Sequence, residues 1–121
     1  LDLLLNNDQI LHDYLFDGIL LDAPCSGSGT WGRTPEMLYF FEKYKIDNYV
    51  KLQKGIAANI IKYLKKDKPL IYMTCSVFKA ENEAVVKYLT DNFDLKLERM
   101  ELIKGYNNKA DSMFVARLIK Q

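Results

Sequence analysis

Two cysteines, Cys25 and Cys75, each stand directly beyond a short apolar run, in Asp22-Ala23-Pro24-Cys25-Ser26-Gly27 and in Thr74-Cys75-Ser76. A thiol acts as a nucleophile or a metal ligand only as the thiolate, so its chemistry is set by its neighbours and its exposure. Asp22, three residues before Cys25, is a carboxylate able to move a proton for that chemistry. Structural zinc is not expected, because one histidine, His12, and two thiols cannot make a Cys/His cluster. A thiol redox module is disfavoured as well, since no Cys-x-x-Cys occurs. The bland alternative is that each cysteine is a small buried hydrophobe, the usual fate of a free thiol. What favours chemistry is the repetition: the same residue type stands at the same end of two similar runs.

Those runs define the elements that must position the thiols. Asp17-Gly18-Ile19-Leu20-Leu21-Asp22 is continuously apolar between acids and breaks at Pro24, Gly27, Gly29, Gly32 and Pro35. Such a run predicts a strand buried on both faces, as in a parallel sheet. Leu70-Ile71-Tyr72-Met73-Thr74 predicts a second one. Between them, Tyr49, Leu52, Ile56, Ile60, Tyr63 and Leu64 recur at helical spacing and predict a helix over 46–65, with Asp47 or Asn48 as its cap. Gly55 inside that helix costs about 1 kcal/mol against alanine. The cations of Lys65-Lys66-Asp67-Lys68 suit its C-terminal dipole, and Pro69 stops it.

A further helix is expected from near Ala80, with Glu81 and Glu83 in its first turn and Ala84, Val85, Tyr88 and Leu89 facing inward. Stretches 95–103 and 113–119 flank Gly105-Tyr106-Asn107-Asn108 and read as an antiparallel hairpin. Residues 1–16 read as an amphipathic helix or helical turn carrying Leu5, Ile10, Leu11, Tyr14 and Leu15. The fold class is therefore α/β, with two parallel strands joined by a right-handed crossover and followed by a C-terminal hairpin. Ligands of open α/β sheets bind beyond the carboxyl ends of the strands, which brings both cysteines to one rim.

Composition narrows the function classes. The chain has 121 residues, enough for a single domain. Its net charge of +1 excludes a strongly basic nucleic-acid footprint, so any claim on RNA must come from elsewhere. No apolar run approaches the roughly 20 residues of a membrane span, and Leu3-Leu4-Leu5 lacks the flanks of a signal peptide. A soluble, cytoplasmic protein with reduced thiols is expected. Gly27-Ser28-Gly29-Thr30-Trp31-Gly32 satisfies G-x-G-x-x-G after a strand, but Arg33, Thr34 and Pro35 intervene before any helix, so a dinucleotide site is rejected. Glycines that merely permit a tight loop remain the competing reading.

The stretches DAPCSGSGTWGRTPE at 22–36, YMTCSVFKAENE at 72–83 and ADSMFVARL at 110–118 together resemble the RNA cytosine-5-methyltransferases of the Sun/Fmu family. The likeness covers nearly everything from Asp17 onward. It implies the C-terminal half of a class I methyltransferase sheet, S-adenosylmethionine as methyl donor, and cytosine in rRNA or tRNA as substrate. Carbon 5 of cytosine is a poor nucleophile, and adding a thiolate to carbon 6 divides one hard step into easier ones. By its match to the Thr-Cys motif, Cys75 is implied to be that nucleophile. Cys25 matches the cysteine that assists product release. Asp22 matches the acid that binds the base edge near the donor, with Pro24 beside it on the cofactor side. Arg33 and Ser76 are the expected substrate contacts, Arg33 through a phosphate. Trp31 is open between stacking on a base and packing its own loop, and Glu81, Asn82 and Glu83 between a motif role and simple helix initiation. Tyr39, Phe40 and Phe41 are expected in the core, and His12 outside any site.

The family's glycine-rich donor loop and ribose acid have no counterpart upstream of Asp17, and the chain begins at Leu1. One partial methyltransferase domain over 1–121 is expected, with 1–16 an N-terminal segment. The isolated polypeptide is expected to be inactive and to self-associate through an exposed sheet edge. A noncatalytic RNA-binding remnant is the alternative.

Overall fold

The computed structural model describes residues 1–121. Along the chain run α1 (Asp8–Leu11), β1 (Ile19–Asp22), α2 (Glu36–Tyr39), α3 (Tyr44–Ile61), β2 (Pro69–Thr74), α4 (Glu83–Asn92), β3 (Leu95–Ile103) and β4 (Met113–Lys120). The strands form one mixed sheet in the order β1-β2-β4-β3. β1 pairs parallel with β2, placing Leu21 opposite Tyr72 and Asp22 opposite Met73. β4 lies antiparallel to both β2 and β3, so the expected hairpin is present and its second strand is inserted beside β2.

Alternation decides which side chains enter the core. Along β2, Leu70, Tyr72 and Thr74 are buried, and along β4, Phe114, Ala116 and Leu118. They meet Ala57, Ile60 and Ile61 of α3 and Val85, Val86 and Leu89 of α4 in one apolar cluster. The expectation of strands buried on both faces is corrected here. Leu20 is 68% exposed, and the face of the sheet away from the helices carries the Arg117–Glu98 and Arg99–Glu101 ion pairs. Helices cover only one side, so the apolar run of β1 overstates its burial.

Other expectations are displaced for identifiable reasons. Of the helix or helical turn expected over 1–16 only the turn Asp8–Leu11 forms, and Leu5, Ile10, Tyr14 and Leu15 are exposed. Asp2 Oδ1 accepts from the Leu4 N–H and Asn6 Oδ1 from the Asp8 N–H, local bonds that compete with helical ones. The segment instead lies on α3, where the Asn59 side chain donates to the Leu3 carbonyl at 2.9 Å and Leu4 occupies the space above Gly55. α3 starts at Tyr44 without a side-chain cap, which leaves Asp47 in its first turn. Its terminal carbonyls receive the ammonium of Lys120, which donates to Ile61 and Leu64 at 3.1 and 2.6 Å. A cation from the far end of the chain thus does what the adjacent lysines were expected to do. α4 begins at Glu83, later than expected, and Ala84 faces solvent while Val86 faces the core.

Candidate active site

β1 and β2 are neighbouring parallel strands, so the loops that leave them emerge on the same rim. Pairing continues one step past β1, with the Ala23 N–H donating to the Met73 carbonyl at 2.9 Å. Two residues further on the chain reaches Cys25, whose Sγ lies 3.3 Å from the Sγ of Cys75. Both thiols are free and half-buried. Burial above all, and then the hydrogen bond with Cys75, pushes the Cys25 thiol up to about 12. Cys25 therefore keeps its proton at neutral pH.

The glycine-rich loop closes over this pair through its backbone. Gly29 donates to the Cys75 carbonyl at 2.8 Å and accepts from the Ser112 N–H at 3.0 Å, bridging the ends of β2 and β4. A Cβ on Gly29 would stand 2.1 Å from the Ser112 carbonyl oxygen, which no side chain survives. Gly27, at a φ of 71°, makes the left-handed turn that starts the loop. The close approach accounts for Gly29 and the left-handed turn for Gly27.

Beneath the thiols sits a buried polar network, of which the sequence left Glu81 and Asn82 open and did not single out Gln53. Glu81, fully buried, accepts from the Ser26 N–H at 2.8 Å, the Ser26 hydroxyl at 2.7 Å, the Gln53 amide at 3.3 Å and the Ser76 hydroxyl. Gln53, buried on α3, also donates to the Pro24 carbonyl at 2.9 Å. Asn82 accepts from the Thr74 hydroxyl at 2.6 Å and donates to the Ser76 carbonyl at 2.8 Å. Glu81 thus lies before the helix and buries its side chain, which corrects the helix-initiation reading. The available signal was a carboxylate six residues after one of the two cysteines, ahead of the apolar face of α4.

The remaining expected site residues are placed as follows. Asp22 is exposed at the carboxyl end of β1, and its carboxylate has no hydrogen-bond partner within the chain. Pro24 is exposed beside it. Ser76 is fully buried, and its hydroxyl donates to Glu81. Arg33 is exposed and paired with Asp111 at 3.0 Å, at the edge of a cavity of about 580 Å³ also lined by Gly29, Tyr106, Lys109 and Ser112. Trp31 packs against Phe41 and Phe78, with ring centroids 4.9 and 5.9 Å away. Phe41 follows the core expectation only in part. Tyr39 and Phe40 reverse it, at 85% and 63% exposure, packing edge-on against each other with centroids 5.1 Å apart. His12 is exposed against Asp13.

This partly parallel α/β sheet, with two thiols meeting beyond adjacent strand ends, has methyltransferases of the Sun type as its structural neighbours. The family model for the 16S rRNA methyltransferase RsmB/F matches residues 4–119, and the chain belongs to that family. It is 38% identical to the ribosomal RNA small subunit methyltransferase B of Photorhabdus laumondii, over 88% of this chain and 27% of that protein. It is 36% identical to the tRNA (cytosine(49)-C(5))-methyltransferase of Pyrococcus abyssi, over 75% of this chain and 29% of that protein. The crystal structure of NSun6 from Pyrococcus horikoshii with SFG superposes with a TM-score of 0.81 at 25% identity, covering 99% of this chain and 33% of that one. The chain thus spans about a quarter to a third of the relatives it matches.

Proposed function

We propose that this chain supplies the substrate-side chemistry of an RNA cytosine-5-methyltransferase acting on rRNA or tRNA, in a cytoplasmic setting. The observation that carries the reading is the meeting of Cys25 and Cys75 at 3.3 Å beyond two adjacent parallel strands. Cys75 adds through sulfur to carbon 6 of the cytosine, and the electron pair of the 5,6 double bond moves to carbon 5, which becomes nucleophilic. S-adenosylmethionine, when bound, supplies the electrophilic methyl group. Asp22, with a free carboxylate at the end of β1, hydrogen bonds the base edge and relays a proton as the ring is attacked. Loss of the carbon 5 proton to solvent then restores the double bond and expels the Cys75 sulfur. Cys25 keeps its own proton and donates a hydrogen bond to that departing sulfur.

Asp22 and Pro24 fit one side of a donor site: both are exposed at the strand end, and the carboxylate is uncommitted. Arg33 and Lys109 offer cations to an RNA backbone at the rim of the cavity. In an intact enzyme containing this segment, Cys75→Ala is expected to abolish both methyl transfer and the protein–RNA adduct, while Cys25→Ala accumulates the adduct. Denaturing gels with labelled RNA separate these outcomes, and an adduct that needs Cys25 and survives loss of Cys75 reverses the assignment.

The outer edge of β1 has no partner strand, and Leu20 is exposed beside it. Unpaired edges and apolar patches favour association. The purified 121-residue chain is expected to sediment as a dimer or larger species and to show no S-adenosylmethionine binding by calorimetry at micromolar protein. Leu20→Lys should shift the sedimentation toward monomer.

A further inference from the structure

We propose that Glu81 is the positioning residue that sets the distance between the two thiols. Cys25 and Cys75 belong to loops 50 residues apart in sequence, and nothing covalent holds those loops together. Backbone pairing between β1 and β2 ends at Ala23, two residues short of Cys25. Beyond that point the two loops are joined by one backbone bond, from the Gly29 N–H to the Cys75 carbonyl at 2.8 Å, and otherwise by side chains. Glu81 joins the residue after one cysteine to the residue after the other: it accepts from the Ser26 N–H and hydroxyl at 2.8 and 2.7 Å, and from the Ser76 hydroxyl. Gln53 ties the same carboxyl group to the carbonyl of Pro24, the residue preceding Cys25. Both neighbours of Cys25 are therefore fixed to the Glu81–Gln53 pair, and the next residue of the Cys75 loop is fixed to Glu81.

Hydrogen bonds have direction, and four donors converging on one buried carboxyl group leave these loops little freedom to slide. Asn82, equally buried, provides the internal contrast. Its side chain bonds Thr74 and Ser76, both on the β2 side, and makes no link to the Cys25 loop. Its removal weakens one loop without unlinking the two. The catalytic consequence, a thiol pair matched in reach to one base, rests on the function proposed above, whereas the positioning itself does not.

The test is thiol–disulfide exchange on the folded 121-residue chain, needing neither RNA nor methyl donor. Oxidised glutathione takes two electrons from the pair, so that the protein dithiol and one glutathione disulfide give the Cys25–Cys75 disulfide and two reduced glutathiones. The equilibrium gives the effective concentration of one thiol at the other, a direct readout of their alignment. Glu81→Ala is expected to lower it about tenfold, the change that follows from losing roughly one strong hydrogen bond between the loops. Glu81→Gln keeps an acceptor for the Ser26 N–H and should stay within about threefold of the parent. Asn82→Ala, matched to Glu81→Ala by thermal melting, should also stay within about threefold.

An unchanged effective concentration in folded Glu81→Ala overturns the proposal, and so does an equal drop in Asn82→Ala at matched stability. Should Glu81→Ala fail to fold by circular dichroism, Ser26→Ala decides, since it removes the hydroxyl that reaches Glu81 at 2.7 Å and Ser76 at 3.4 Å and keeps the Ser26 N–H. No change there also overturns it. An RNA adduct assay that contradicts the cysteine roles leaves this result standing, so the two readings fail separately.

Discussion

The sheet has two buried regions held by different physics. Under α3 and α4, Tyr72, Phe114, Leu118, Leu89 and Ala57 are buried by shape and apolarity alone, apart from the Tyr72 hydroxyl, which donates to the Glu81 carbonyl at 2.6 Å. Beyond the carboxyl ends of β1 and β2, Gln53, Thr74, Ser76, Glu81 and Asn82 are just as inaccessible and polar throughout. Apolar burial is non-directional and contributes roughly in proportion to area. A buried polar group costs free energy unless its partners are in place, so the second region is stable in one arrangement only. The molecule places uniqueness where the two thiols meet and bulk stability beneath the helices.

Substitutions can separate these contributions, beginning with the largest loss of stability. Phe114→Ala removes a fully buried ring packed edge-on against Tyr72, with centroids 6.4 Å apart, and should cost about 3–5 kcal/mol in chemical denaturation. A loss below about 1 kcal/mol would mean that the polar region holds the sheet, contrary to the comparison. Gly29→Ala forces backbone apart at the junction of Cys75 and Ser112, at an expected cost of about 1–3 kcal/mol. Its melting temperature should fall less than that of Phe114→Ala, while alkylation rates at the two thiols change more.

Asp22→Asn marks the smallest effect on stability. An exposed carboxylate with no partner should shift unfolding by less than about 0.5 kcal/mol. In an intact enzyme carrying this segment, turnover should nevertheless fall roughly 10²- to 10⁴-fold, because an amide cannot relay a proton. Near-parental turnover removes Asp22 from the proposed chemistry. A large loss of stability would instead show that its side chain belongs to the fold.

Particular residues show how far periodicity carries. The strand at 70–74, the inward face of α3 and the hairpin about Gly105 follow from local pattern, because the apolar side chains of each element must leave water. Leu20 does not: an apolar side chain is legible, but whether anything covers it depends on a layer that lies nowhere near it in sequence. Tyr39 and Phe40 fail for the same reason, since three aromatic residues in a row cannot say which ring has a neighbour. Asn6 and Asp2 mislead in the other direction, capturing backbone donors locally where an apolar period suggests a helix.

Within the candidate site, sequence spacing alone places Asp22, Cys25 and Cys75 at strand ends, because a parallel crossover must return neighbouring strands with their carboxyl ends on one rim. That follows from chain connectivity and the handedness of L-residues. The distance between the thiols, the burial that holds the proton on Cys25, and the role of Glu81 follow from no local pattern. A hydrogen bond between residues 55 positions apart exists only once the sheet has formed, and its geometry is set by every element that packs against it. The sequence determined which chemical groups reach the rim, through period and punctuation; the tertiary structure alone decided how they face one another, because directional bonds between distant loops are made only in the packed state.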